Sequence, residues 1–177
     1  MDGEVFVWGN TKDKLNKNDL GKIPSEVKRQ GAVSVAAGKD HIIAVTKTGE
    51  IIGWGDKSCG QYGFEEVLNA IPMPKSLQNG VAPELVRSLS CGYQTTALLL
   101  TDGTAYAWGN ANAVKNLSSL QNLQGVADIV FTNSVAVALK MDGSIFTGKE
   151  TYFYSAVGSK NGRQPSLNAY LVGRRVE

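Results

Sequence analysis

One seven-residue phrase recurs along this chain, and it narrows the fold more than any other feature. Gly3-Glu4-Val5-Phe6-Val7-Trp8-Gly9 returns as Gly49-Glu50-Ile51-Ile52-Gly53-Trp54-Gly55 and as Gly103-Thr104-Ala105-Tyr106-Ala107-Trp108-Gly109. A fourth copy, Gly143-Ser144-Ile145-Phe146-Thr147-Gly148, has lost the tryptophan. The leading glycines lie 46, 54 and 40 residues apart, so a constant unit is joined by connections of variable length. In arrays of this period each unit buries its faces only against its neighbours.

A second half-motif precedes each later copy. Gly38, Gly92 and Thr132 each stand 11 residues before a leading glycine. Ahead of them come Ala32 and Val35, Val86 and Leu89, and Val126 and Ile129. After them run the short apolar stretches His41 to Val45, Thr95 to Leu99 and Val135 to Leu139. These end in Lys47-Thr48-Gly49, Thr101-Asp102-Gly103 and Met141-Asp142-Gly143, and Asp-Gly predicts a two-residue hairpin turn with positive φ at both central positions. Each unit thus reads as an entering strand, a second strand, a tight hairpin and a third strand ending in Trp-Gly. Pro24, then Pro72 and Pro74, mark looser connections. Strands this short suit small sheets stacked side by side. Glycine and alanine let the sheets approach, and tryptophan fills the gap where they diverge. The fold class is all-β, built from β-propeller-like repeats as a partial or oligomer-completed propeller.

Composition sets the surrounding limits. A hydrophobic fraction of 42% excludes a disordered tail. A formal charge of +2 leaves no large field to steer a nucleic acid or an anionic membrane. No stretch approaches the ~18 apolar residues of a membrane helix, and Met1-Asp2-Gly3-Glu4 lacks a basic then apolar signal. The expectation is a soluble protein with no membrane insertion, cytoplasmic by default. The cluster Lys12, Asp13, Lys14, Lys17, Asp19 and Lys22 has mixed signs and no aromatics, so it reads as a solvated loop rather than a specific nucleic-acid contact.

The residues that tempt a chemical reading each have a structural one. His41, the single histidine, begins a strand, and its counterparts are Thr95 and Val135, which marks a packing or local hydrogen-bonding slot. Cys59 sits in a turn, and Cys91 takes the place of Ala37 and Phe131 as a small apolar filler. With no CxxC pair the two cysteines read as thiols, not as a zinc site or disulfide. Asp102 and Asp142 are accounted for by hairpin turns. Phosphate-loop, zincin and nucleophile-elbow patterns are absent. The expected site lists are therefore empty: no catalytic, cofactor-binding or metal-binding residue, no cofactor and no enzyme.

The Trp-Gly strand ends, Ala36-Ala37-Gly38-Lys39-Asp40-His41 and the loop Gly60-Gln61-Tyr62-Gly63 with Cys59 before it resemble the regulator-of-chromosome-condensation (RCC1) repeat family. The resemblance covers roughly residues 1–148, in units near 1–49, 50–103 and 104–148, with the last unit departing most. It implies a rigid ring presenting loops to another protein, full rings having seven blades and about twice this length. Members include exchange factors for a small nuclear GTPase, substrate-binding parts of ubiquitin ligases and secreted inhibitors that clamp a β-lactamase. The fold does not choose the partner.

The main functional expectation is a non-enzymatic interaction or structural subunit of a larger assembly. The alternatives are a regulator or inhibitor that grips another protein by one rim and, by resemblance alone, a small-GTPase exchange factor. An open arc needs its ends covered. The partners are therefore proteins: a second copy, as a homodimer completing a seven-blade ring, or other subunits of an assembly. Residues 149–177 are a non-repeat cap or subunit-contact tail. Thr151–Val157 and Asn168–Val172 read as strands there, and Lys149, Lys160, Arg163, Arg174 and Arg175 outweigh Glu150 and Glu177. Connection 56–81, with a helical turn expected over residues 64–70, is the longest loop and the expected contact surface.

Overall fold

The computed structural model describes residues 2–9, 19–65, 67–111, 120, 122–131, 136–146 and 151–153. Three antiparallel sheets follow one another along the chain. The first holds β1 (Ala32–Ala37), β2 (His41–Thr46) and β3 (Ile51–Gly55) in that order, preceded by a short helix α1 (Ser25–Gln30). The second runs β4-β7-β6-β5, from β4 (Ala70–Ile71), β5 (Val86–Cys91), β6 (Thr95–Leu100) and β7 (Ala105–Asn110). The third runs β11-β10-β9-β8, from β8 (Val126–Phe131), β9 (Ala136–Lys140), β10 (Ser144–Phe146) and β11 (Thr151–Phe153). The third blade thus takes its outer strand from beyond residue 148. All three first strands shift register at the same place, between Ala32 and Ser34, Val86 and Ser88, and Val126 and Asp128. A repeated bulge at one offset shows that the repeats share backbone geometry as well as sequence.

The middle strands β2 and β6 are buried at every position, because each lies between two neighbouring strands and beneath both faces of its sheet. That is why they read as continuous apolar runs rather than alternating ones. One core cluster joins the first two blades through Ile43, Val45, Ile51, Met73, Leu77, Leu98, Leu100 and Trp108. The next joins the second and third blades. It is built around Ala97, Ala105, Ala107, Ala136 and Ala138 with Leu99, Leu120 and Ile129, so small residues do bring those sheets close. The sheets are the blades of an unclosed, partial β-propeller.

Three details differ from the sequence expectation. The hairpins are not two-residue turns. Gly103 N–H donates to Leu100 O at 3.0 Å while Leu100 N–H donates to Thr104 O at 2.9 Å. Positive φ is confined to the glycine (+83°), which is a three-residue loop with a glycine bulge. Asp102 does not adopt positive φ; its carboxylate accepts the Thr104 N–H at 2.8 Å, and Asp142 accepts that of Ser144 at 2.9 Å. Second, described residues 64–70 contain no helical turn; Asn69 turns the chain with φ of 62°, and Ala70–Ile71 joins the second sheet against Asn110 and Gly109. Third, the first copy of the motif belongs to no sheet, although its burial alternates as in a strand. Residues 10–18 with the Lys12 to Lys17 cluster, Thr132, Val135, Thr147, Gly148 and the tail from 154 lie outside the described residues.

Candidate protein-binding rim

The first strands of successive blades come together: Ser34 Oγ accepts the Leu89 N–H at 3.2 Å. Their ends turn over at Gly38 and Gly92, where there is no room for a side chain. A Cβ on Gly38 would lie 2.5 Å from Gly92 O and 2.3 Å from His41 Cε1. This crowding is why the half-motif needs glycine there. Around the turns lies an open cleft of about 460 Å³ lined by Ala37, Gly38, Lys39, Cys91, Gly92, Tyr93 and Phe131. Lys39 Nζ donates to Tyr93 Oη at 2.8 Å, stands 4.5 Å from the ring centroid and lies 3.4 Å from Asp40 Oδ2. The Tyr93 hydroxyl, with the Asp40 charge in support, holds the Lys39 ammonium above the ordinary lysine range. The rim therefore offers one fixed cation on an aromatic face beside an apolar floor. Burial pushes the Cys91 thiol up to about 12, so it stays protonated and inert. Both cysteines are free.

His41 is fully buried beneath this rim, with Nε2 3.2 Å from Thr96 Oγ1 of the next blade. Burial lowers its pKa to about 4 against smaller opposing pulls from Asp56 and Asp40. Its Nδ1 has no partner among the described residues, and neither does Oγ1 of Thr95, the equivalent residue in the second blade. Thr96 Oγ1 instead donates to Gln61 O at 2.9 Å, and Trp108 Nε1 donates to the same carbonyl at 2.9 Å. The Gly60–Gly63 loop is thus a clamp between blades. At Gly63 φ is +81° and a Cβ would fall 2.4 Å from Met73 Cβ, against Trp108. Much of connection 56–81 is spent on this internal work, since Gln61, Met73 and Leu77 are buried, while Phe64 and Leu68 stay exposed. Among the described residues no group of three or more His, Cys, Asp or Glu could hold a metal ion. No helix of the described residues is long and apolar enough to cross a membrane.

The Lys39–Tyr93 pair was not singled out by the sequence reading. Its signal was available, because both residues directly follow the half-motif glycine of successive repeats.

Stacked sheets of three or four strands, first strands meeting at a common rim and Trp108 wedged between blades define a propeller-type repeat protein. A family model of the regulator of chromosome condensation (RCC1) repeat matches residues 32–61 and 86–113, the stretches that carry Gly38 to His41, Gly92 and Trp108. These two stretches, the first and second blades, are thus RCC1 repeats, a partial set within this chain. It is 26% identical to human Protein RCC2 over 61% of its own length and 22% of that protein. With the human E3 ubiquitin-protein ligase HERC2 identity is 28% over 99% of this chain but 4% of that protein. The chain thus spans about a fifth or less of these curated relatives. Among solved structures, yeast RCC1 (Prp20) bound to Kap60 superposes with TM-score 0.55 at 19% identity, over 82% of this chain and 39% of that one. The CRINKLY WD40 ectodomain of the Arabidopsis thaliana receptor kinase ACR4 gives TM-score 0.52 at 17% identity, over 86% and 48%.

Proposed function

We propose that this chain is a non-catalytic scaffold that regulates another protein by binding it at the rim around Lys39, Tyr93 and Phe131. The cleft carries the reading. It places a cation over a half-exposed aromatic ring beside apolar walls, which suits a protein segment presenting a carboxylate next to an apolar side chain. The regulator reading is better supported than that of an assembly subunit, because the rim is open and chemically specific. Support by analogy of fold comes from yeast RCC1 (Prp20), which has been solved with the protein Kap60 bound to it. An exchange-factor role has only the family resemblance behind it.

Chemical cross-linking of the full chain in its source cells, followed by calorimetry with the captured protein, tests this. The double variant Lys39→Glu/Tyr93→Ala is expected to weaken binding by roughly tenfold or more, the scale of a hot-spot loss, with an unchanged circular-dichroism melt. Unchanged affinity in that variant would remove the rim from the function. Residues 149–177 are assigned the part of a cap or subunit-contact tail beside the repeats of 1–148. Their deletion is expected to change the oligomeric state or cause aggregation in light scattering over a range of concentrations. Equal mass and stability with and without them would make the tail a passenger.

A further inference from the structure

Of the two methionines among the described residues, one is buried and the other is not. Met73 is 1% exposed, inside the cluster that joins the first two blades, whereas Met141, at the hairpin after β9, is 48% exposed. Met141 nevertheless bears on the joint between the second and third blades. There the Gly103 carbonyl accepts the Val126 N–H at 2.9 Å, as Gly3 accepts that of Ala32 at 2.8 Å and Gly49 that of Val81 at 2.9 Å earlier in the chain. The thioether methyl of Met141 lies against this bond. It is 2.7 Å from the point where a Gly103 Cβ would stand, and Val126 N and O are each 3.2 Å from the same point. Lys47 takes the equivalent position after β2 and covers Gly3 in the same way, with Cε 2.7 Å from that glycine's Cβ position. At Gly49 the place is filled by Val81 and Pro83 instead. A long, flexible arm laid over a leading glycine is thus a device that the repeats use more than once, and in the third blade the arm carries sulfur.

We propose that Met141 is an oxidation site, at which a hydroperoxide converts the thioether to a sulfoxide and so loosens the second blade from the third. A sulfur lone pair attacks one peroxide oxygen, and the S–O bond forms as the O–O bond breaks. The sulfur is oxidised by two electrons and the peroxide is reduced. The proton on the attacked oxygen moves to the other oxygen, which leaves as water or an alcohol. The oxidant must reach the sulfur, which the exposure of Met141 allows and the burial of Met73 does not. The product changes what the arm can do, because a sulfoxide makes an apolar side chain polar. Its oxygen accepts hydrogen bonds, and the N–H groups around Gly103 are already engaged. Gly103 donates to Leu100 O, Val126 to Gly103 O, Met141 itself to Gly125 O and Gly143 to Lys140 O, while Thr104 N–H donates to Asp102 Oδ1. An acceptor held against paired backbone goes unsatisfied, so the oxygen gains more from water than from the joint. The arm swings outward, and the Gly103–Val126 bond loses its cover. The inference is independent of the rim cleft.

The test treats the full chain with dilute hydrogen peroxide and follows each methionine-bearing peptide by mass spectrometry after digestion. In the folded protein the Met141 peptide is expected to gain an oxygen roughly tenfold faster than the Met73 peptide, and in urea, where both are exposed, at the same rate. Amide hydrogen exchange then reads the joint. Val126 is expected to exchange several-fold faster after oxidation, while the amides of β2 in the first blade keep their rates. Met141→Leu retains an apolar arm of similar size and is expected to keep slow exchange at Val126 before and after peroxide. Equal oxidation rates of Met141 and Met73 in the folded chain would overturn the proposal. So would oxidation of Met141 with unchanged exchange at Val126, which would make it a bystander on the surface. Faster exchange at Val126 in peroxide-treated Met141→Leu, or a rise spread over β2 as well, would place the damage elsewhere and overturn it too.

Discussion

Trp108→Ala is expected to lower the free energy of unfolding by about 3–5 kcal/mol, the cost of truncating a fully buried aromatic. The indole is wholly inside the cluster that joins the first two blades, against Met73, Leu98 and Ile43. Removing it leaves a cavity that the sheets cannot close without sliding on each other, and takes one of the two donors from the Gln61 carbonyl. Trp54→Ala belongs in the same range, because that side chain is also buried and bonded through Nε1 to Leu20 O. Trp8→Ala, in the same sequence motif, is expected to stay within ~0.5 kcal/mol as an exposed substitution. Urea unfolding of the three variants checks this. A loss below ~1 kcal/mol for Trp108→Ala would mean that the inter-blade cluster is not what holds the blades together.

The contrast among the three tryptophans also marks what could be read in the residues. Strands β2, β6 and β9 were legible within a residue because the repeat offsets fix them: apolar stretches between a glycine and a hairpin have few other ways to bury themselves. The hairpin type was not. Asp-Gly serves a two-residue turn and a three-residue bulge equally, and the choice rests on which residues pair across the turn. The clamp at Gln61 was out of reach for another reason. Its acceptor is a backbone carbonyl, which any residue supplies, so only the flanking glycines hinted that the chain passes close to Trp108. The exposure of Phe6 and Trp8 could not be read from a motif that encodes a strand but not its neighbours. The Lys39–Tyr93 contact joins residues 54 apart in sequence, and only laying one repeat over the next brings them together.

Stability should also fall steeply in mild acid, and His41 sets the window. Burial holds its folded pKa at about 4, against an ordinary 6.5. Between those values the unfolded chain carries a proton that the folded chain does not. Stability therefore rises with pH across this interval, is fully present above the unfolded value, and is lost as pH falls toward 4. With the whole shift realised, the loss amounts to about 3 kcal/mol. Asp102, Asp142 and Glu26 also have lowered values, caused respectively by bonds from Thr104, from Ser144 and from the Glu26 backbone with Ser25. They add a loss of the same sign at lower pH, so the histidine must be isolated by difference. His41→Thr does so by installing the residue that the second blade already holds at the equivalent position, Thr95. Denaturant unfolding of parent and variant from pH 7.5 to 4.5 is expected to show a slope in the parent that the variant lacks between 6.5 and 4.5. The remaining carboxylate-driven loss should be common to both. Parallel curves would mean that the imidazole takes up a proton inside the fold without penalty. The unpartnered Nδ1 would then have found an acceptor, and His41 would become a candidate for chemistry rather than a wedge between blades.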